Sequence, residues 1–191
     1  MSDIFNNQTI QNFYDAALRL DFARKNLFRV DYIETQFTNV RFDTDDLVYI
    51  ETLSLPQRTI NNQPVKFMGV DFNVPGTASY PGSNAWNVTF RMPGDLMIRR
   101  KLEQWTRNVF DDQTSTGAYN LADLGTLGLS LMDKDGQPVI SYKLWGVYCV
   151  SLGDYALDIK DSGSIVTQPA TLAYQYWTSD AYQGGGRFLG L

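Results

Sequence analysis

The sequence predicts a mainly β domain with one main α-helix and a short N-terminal helix. Three observations carry that expectation. Trp86, Val88 and Phe90 alternate with Asn87, Thr89 and Arg91, a period-two run that gives a strand one large apolar face and one polar face. Leu127–Met132 and Val139–Val150 flank Asp135-Gly136, a strong hairpin turn pair. Ile98, Leu102, Trp105 and Val109 are spaced four, three and four residues apart, which puts them on one helical face. At 191 residues the chain reads as a single domain, 1–191, large enough to bury about 70% of its unfolded surface.

The stretch Val65–Phe90 organises the rest. Val65–Phe72 reads as a strand that is apolar on both faces, because Phe67 and Val70 fall on opposite sides of a continuous strand. Such a strand is covered twice, by its own core and by something else. The loop after it carries Pro75, Gly76, Tyr80, Pro81 and Gly82 before Trp86–Phe90 begins. Two readings fit: a surface that meets another protein, or a plain sandwich hairpin with a loose tip.

Taken in order, residues 1–21 form an N-terminal helical extension. Within it Thr9–Leu20 predicts an amphipathic helix with Ile10, Phe13, Ala17 and Leu20 on one face. Asn26–Ile33 is a strand with Phe28, Val30 and Tyr32 on one side and Arg29 and Asp31 on the other. Asp43, Asp45 and Asp46 form an acidic turn, and Leu47–Leu55 is a strand ended by Pro56. Asn61-Asn62 is a turn signal. Pro93 opens the main helix, with Asp95 favourable near its N-terminus, and the helix stops near Asp111 before the loop Gln113–Gly117. Gly153-Asp154 is a turn, Tyr155–Ile159 a short strand, and Leu172–Trp177 a closing strand. Residues 178–191 form a flexible C-terminal tail, whose last stretch GGGRFLGL begins flexibly and ends apolar. It fits either a loose terminus or an arm that docks on a neighbour.

Composition narrows the chemistry. The chain has no histidine, which removes His-dependent triads and imidazole metal sites. Its single cysteine, Cys149, lies in an apolar run and reads as a small core residue. No signal peptide or membrane-length apolar run is present, so folding in a reducing compartment is expected. A net charge of −5 argues against wrapping nucleic acid, which needs clustered cations. Asp133-Lys134-Asp135-Gly136 lacks the flanking carboxylates of a calcium loop, since Leu131 and Tyr142 fall where they are required. Gly184-Gly185-Gly186-Arg187 lacks the Lys-Ser/Thr of a phosphate loop. Asp43, Asp45 and Asp46 read as a solvated turn before a cation site, and Arg99-Arg100-Lys101 as a solvated face before a phosphate patch. The expectation is a non-enzyme with no catalytic residues, no cofactor and no metal.

Phe22-Ala23-Arg24, Asn26-Leu27-Phe28 and Val30 open an ordered set of further positions. Val65, Phe67-Met68, Asn73-Val74, Gly76, Trp86, Val88, Thr89, Trp105, Leu144-Trp145, Thr171-Leu172-Ala173 and Tyr176-Trp177 follow in the same order. The set resembles the tail tube proteins of contractile-tailed bacteriophages, from about Phe22 to Trp177. The resemblance implies a barrel-forming β-sandwich whose hexameric rings stack into a hollow tube. Such a tube carries DNA during ejection inside a contractile sheath, in a virion assembled in the host cytoplasm. It implies contacts with the tail sheath, baseplate and tail-terminator proteins, with the tape measure protein and phage DNA in the lumen and no membrane segment.

Within that frame Phe67, Met68, Phe72, Val74 and Tyr80 are candidate inter-subunit contacts. Asn87, Thr89 and Arg91 are lumen candidates, and Arg99, Arg100 and Arg107 on the flanking helix are sheath-contact candidates. A baseplate initiator or terminator ring and a type VI secretion-like tube are alternatives of the same fold. A monomeric ligand-binding sandwich with Tyr142, Tyr148, Tyr174 and Tyr176 around a pocket is an alternative of another class.

Overall fold

The computed structural model describes residues 9–117 and 120–180. α1 (Ile10–Leu20) starts at Thr9, whose hydroxyl accepts a bond from the Asn12 amide at 3.2 Å. β1 (Phe28–Glu34) follows, then a one-turn helix α2 (Thr44–Leu47), then β2 (Ile50–Leu53). β3 (Thr59–Phe67) and β4 (Val70–Ser79) form a two-stranded ribbon, and β5 (Trp86–Arg91) returns to the body. α3 (Met97–Val109) is followed by the small pair β6 (Phe110–Asp111) and β7 (Thr116–Gly117). β8 (Gly125–Met132), β9 (Pro138–Leu152), β10 (Thr167–Ala173) and β11 (Tyr176–Ser179) complete the chain.

The main sheet runs β1-β8-β9-β10-β5-β2, all antiparallel, with β11 added against β9. β9 is the long central strand. Its first half pairs with β8 and β11; past a bulge at Gly146 its second half pairs with β10. The sheet does not close on itself, and β1 and β2 are the ends of its path. One face holds the core: Val30, Ile33, Val88, Phe90, Leu127, Leu129, Leu144, Val147 and Leu172 are buried. α3 lies against β9 and buries Ile98, Leu102 and Trp105, with Val109 packed at the margin. The Trp105 ring centroid is 5.6 Å from that of Phe42. The other face pairs Asn87 with Thr171 and Thr89 with Pro169 across β5 and β10 and carries Tyr32, Trp145 and Tyr176 farther along the sheet.

Several expectations are corrected. A bulge at Asp31 in β1 restarts the alternation, so Ile33 joins Val30 on the core side and Tyr32 turns to the other face, opposite Gly128. A Cβ on Gly128 would lie 2.8 Å from Tyr32 Cδ1 and 2.9 Å from Cζ. Gly128→Ala is therefore expected to cost about 1–3 kcal/mol, read as a lower melting temperature; an unchanged one would show that the ring swings aside freely. Asn61 and Asn62 lie inside β3, and the reversal comes at Met68-Gly69. Leu47 closes α2, and the strand expected from there begins only at Ile50. Pro93 precedes α3, which starts at Met97 with Asp95 Oδ1 accepting its amide at 3.0 Å. Tyr155–Ile159 is not a strand. The closing strand is two strands, broken where Tyr174 N donates to Ser83 O and Gln175 N to Trp145 O, both at 2.8 Å. The expected tail, 178–191, lies mostly outside the described residues, but Thr178 and Ser179 belong to β11.

Candidate assembly interface

The β3–β4 ribbon stands out from the body of the subunit. It is exposed from Thr59 through Ala78, and Ser79 is half-buried at its root. The turn is a two-residue reversal in which Met68 (φ 50°) and Gly69 (φ 80°) are both left-handed, the geometry that matches strand twist in a tight hairpin. Glycine takes that conformation without cost; Met68 does not, and it stands 88% exposed at the tip.

The register decides which side chains share a face. Phe67 pairs with Val70, Val65 with Phe72, and Gln63 with Val74. Directly opposed residues point the same way, so Val65, Phe67, Val70, Phe72 and Val74 form one apolar face. Lys66 with Asp71, Pro64 with Asn73, and Asn62 with Pro75 form the other. The expectation of a strand apolar on both faces is thus corrected: the chain reverses between Phe67 and Val70, which brings them to the same side. Phe67 is 62% and Phe72 52% exposed. The apolar face has no cover among the described residues.

Of the candidate contact residues, the fold brings together Phe67, Phe72 and Val74 on this face, with Met68 at its tip. Tyr80 stands apart, half-buried against the core at the ribbon's root. Val65 and Val70 belong to the face as well; the signal for them was the near-symmetry of Val-Lys-Phe-Met-Gly-Val-Asp-Phe about Met68-Gly69.

Asn87, Thr89 and Arg91 lie on the polar face of β5. Arg91 Nη2 meets Glu51 Oε1 at 3.1 Å, so its charge is offset on the same face. Arg29 is tied likewise to Asp31 at 2.7 Å, and Lys143 lies 4.0 Å from the centre of the Trp145 ring. On α3, Arg99 is drawn inward: it donates to Glu103 at 2.8 Å and to the fully buried Gln168, and lies 5.2 Å from the centre of the Tyr155 ring. Arg100 and Arg107 are exposed, seven residues apart on one side of the helix.

The remaining candidates resolve into structural parts. Asp43 and Asp46 cap α2 and receive the Lys101 ammonium, 3.7 Å from Asp43. Asp133 Oδ1 accepts the amides of Asp135 and Gln137 and so closes the β8–β9 turn. Burial pushes the Cys149 thiol up to about 12, which keeps it protonated at neutral pH. The four tyrosines do not converge: Tyr142 packs edge-on against Trp177 on the core side, while Tyr176 stacks on Trp145 on the opposite face.

Among the described residues the antiparallel sheet is open at β1 and β2, and the apolar face of the ribbon has no cover. The chain belongs to the T4-like virus tail tube protein gp19 family, whose model matches residues 39–178. It is a structural subunit of a tail tube. Solved structures of similar fold include a chain of the anti-feeding prophage baseplate, six-fold symmetrised, at 15% identity and TM-score 0.57, covering 83% of this chain and 95% of that one. A chain of the sheath-tube complex of an extracellular contractile injection system, PVC, in the extended state is similar at 14% identity and TM-score 0.56, covering 86% and 95%. A chain of the anti-feeding prophage tube-terminating cap is similar at 15% identity and TM-score 0.54, covering 94% and 98%. No curated protein sequence matches the chain.

Proposed function

We propose that six copies close into a ring and that rings stack through the apolar face of the β3–β4 ribbon into a hollow tube. The bare face of Val65, Phe67, Val70, Phe72 and Val74 is the observation that carries this reading. Burying it between copies removes large side chains from water, and ring closure gives the free sheet ends partners. Six is the symmetry of the baseplate in which one fold relative occurs. Mass measurement of dilute protein should show a species of six subunits; a population that stays monomeric at every concentration and with a tube seed present would count against the ring.

The polar face of β5 lines the lumen in this reading. Asn87 and Thr89 are uncharged, and Arg91 is offset by Glu51, so the wall offers DNA no bare cation. Six chains of charge −5 give a ring of about −30, which repels DNA rather than holding it. The tape measure protein and then DNA occupy the channel, the baseplate and terminator bound its two ends, and the particle assembles in the host cytoplasm.

A sheath surrounds the tube and meets α3 through Arg100 and Arg107; Arg99 serves inside the subunit. Arg100→Glu with Arg107→Glu is expected to leave tubes intact and weaken sheath co-sedimentation roughly tenfold or more. Sheath binding equal to that of the unaltered protein would remove α3 from the sheath contact.

A further inference from the structure

Two exposed apolar surfaces of this chain lie at opposite ends of one strand. The ribbon is rooted where β5 begins: β2 ends at Leu53, paired with Val88, and Trp86 opens β5. At the other end of β5, Arg91 pairs with Thr167, the first residue of β10. The loop 153–166, which joins β9 to β10, therefore leaves the sheet at the end away from the ribbon's root. It presents Leu157, Ile159 and Ile165 to solvent, with Ile159 fully exposed. Leu157 and Ile165 line a groove of about 370 Å³ that the loop encloses with Thr167.

Side-chain and backbone bonds fix this loop in place. Gln168, fully buried in β10, donates to Gly153 O at 2.6 Å and accepts from Arg99 of α3. Arg99 in turn lies 5.2 Å from the centre of the Tyr155 ring. Gly153 N donates to Pro169 O at 2.9 Å, which ties the start of the loop to β10. Farther along, Asp161 Oδ1 accepts the amides of Gly163 and Ser164 at 2.9 and 2.8 Å, and Asp158 Oδ1 accepts that of Lys160 at 2.9 Å. Apolar side chains on a loop already held this way dock with little further loss of freedom.

A tube that lengthens by adding identical rings the same way up brings two different patches together, one from each end of the subunit. Such a heterologous contact repeats without closing. Given stacking through the ribbon, on which this rests, we propose that the 153–166 loop receives the ribbon of a second copy in the next ring. Leu157, Ile159 and Ile165 then pack against the face of Phe67, Val70 and Phe72, and both bare surfaces leave water in one contact. Pairing ribbon with ribbon would instead turn neighbouring rings head to head and leave the loop end bare.

The test uses full chains altered at one end each. Leu157→Asp with Ile159→Asp removes the loop patch; both residues are exposed, so the melting temperature should hold. This variant should form rings that do not stack, with pelleting at background. Phe67→Asp with Phe72→Asp blocks the ribbon and keeps the loop. Mixed after each has formed rings, the two variants should pair, the ribbon of the first entering the loop of the second, and give stacks of two rings. Tubes from the loop variant would overturn the proposal and leave ribbon stacking in place; tubes from the ribbon variant would overturn both. Single rings in the mixture would also overturn it. Should the loop variant fail to fold, a short lysine cross-linker on tubes of the unaltered chain replaces it. Lys160 of the loop and Lys66 of the ribbon should join in tubes and not in the dilute chain. Tubes in which that link does not form would overturn the proposal.

Discussion

Phe67→Asp combined with Phe72→Asp is expected to abolish tube formation while leaving the subunit folded. Both side chains are more than half exposed in the single chain, so replacing them costs little of its own stability, within about 0.5 kcal/mol. In a stacked tube each buried aromatic contributes roughly 1.5–3 kcal/mol, and the loss is repeated in every subunit of every ring. Two carboxylates placed on the apolar face would also have to be buried unpaired. Pelleting should therefore fall to background, with an unchanged melting temperature. Asn73→Asp puts one carboxylate on the opposite face of the ribbon, beside Phe72 in β4, and should leave tubes intact. Tubes that survive the double substitution would move the stacking contact away from the ribbon.

Trp105→Ala is expected to do the reverse. Its side chain is fully buried on the core side of α3, packed near Phe42. Removing it leaves a cavity between helix and sheet and costs roughly 3–5 kcal/mol, a large part of the 5–15 kcal/mol that holds a typical domain folded. Denaturant melts should shift strongly. Whatever fraction remains folded should still assemble, because Trp105 lies away from the ribbon's apolar face. A small shift would mean that α3 is held by its polar contacts, with Gln168 through Arg99 and with Asp46 through Lys101.

Elements with one strong period were legible in the sequence. The apolar spacing of α3 and the alternation of β5 each have one dominant pattern, and Asp135-Gly136 marks the β8–β9 turn without competition. The misread stretches are those where a distant contact overrides local preference. Asn61 favours a turn in isolation, yet its side chain bonds Thr77 and Ser79 across the ribbon. Tyr155 looks strand-like but lies under Arg99. Leu172–Trp177 reads as one strand but forms two, because the break at Tyr174-Gln175 is made by backbone bonds to Ser83 and Trp145, which no local pattern announces. The site followed the same rule. Phe67, Met68, Phe72 and Val74 were recognisable as apolar residues in need of cover, but their shared face depends on the reversal at Met68-Gly69. Arg99 and Arg100 are neighbours in sequence, and only the fold shows that one is tied inward to Gln168 while the other faces out.

Negative-stain electron microscopy of the purified chain across a concentration series tests the central claim most directly. The account predicts hollow tubes, or six-fold rings that stack as concentration rises. Monomers that neither form rings nor extend an added tube seed would contradict it.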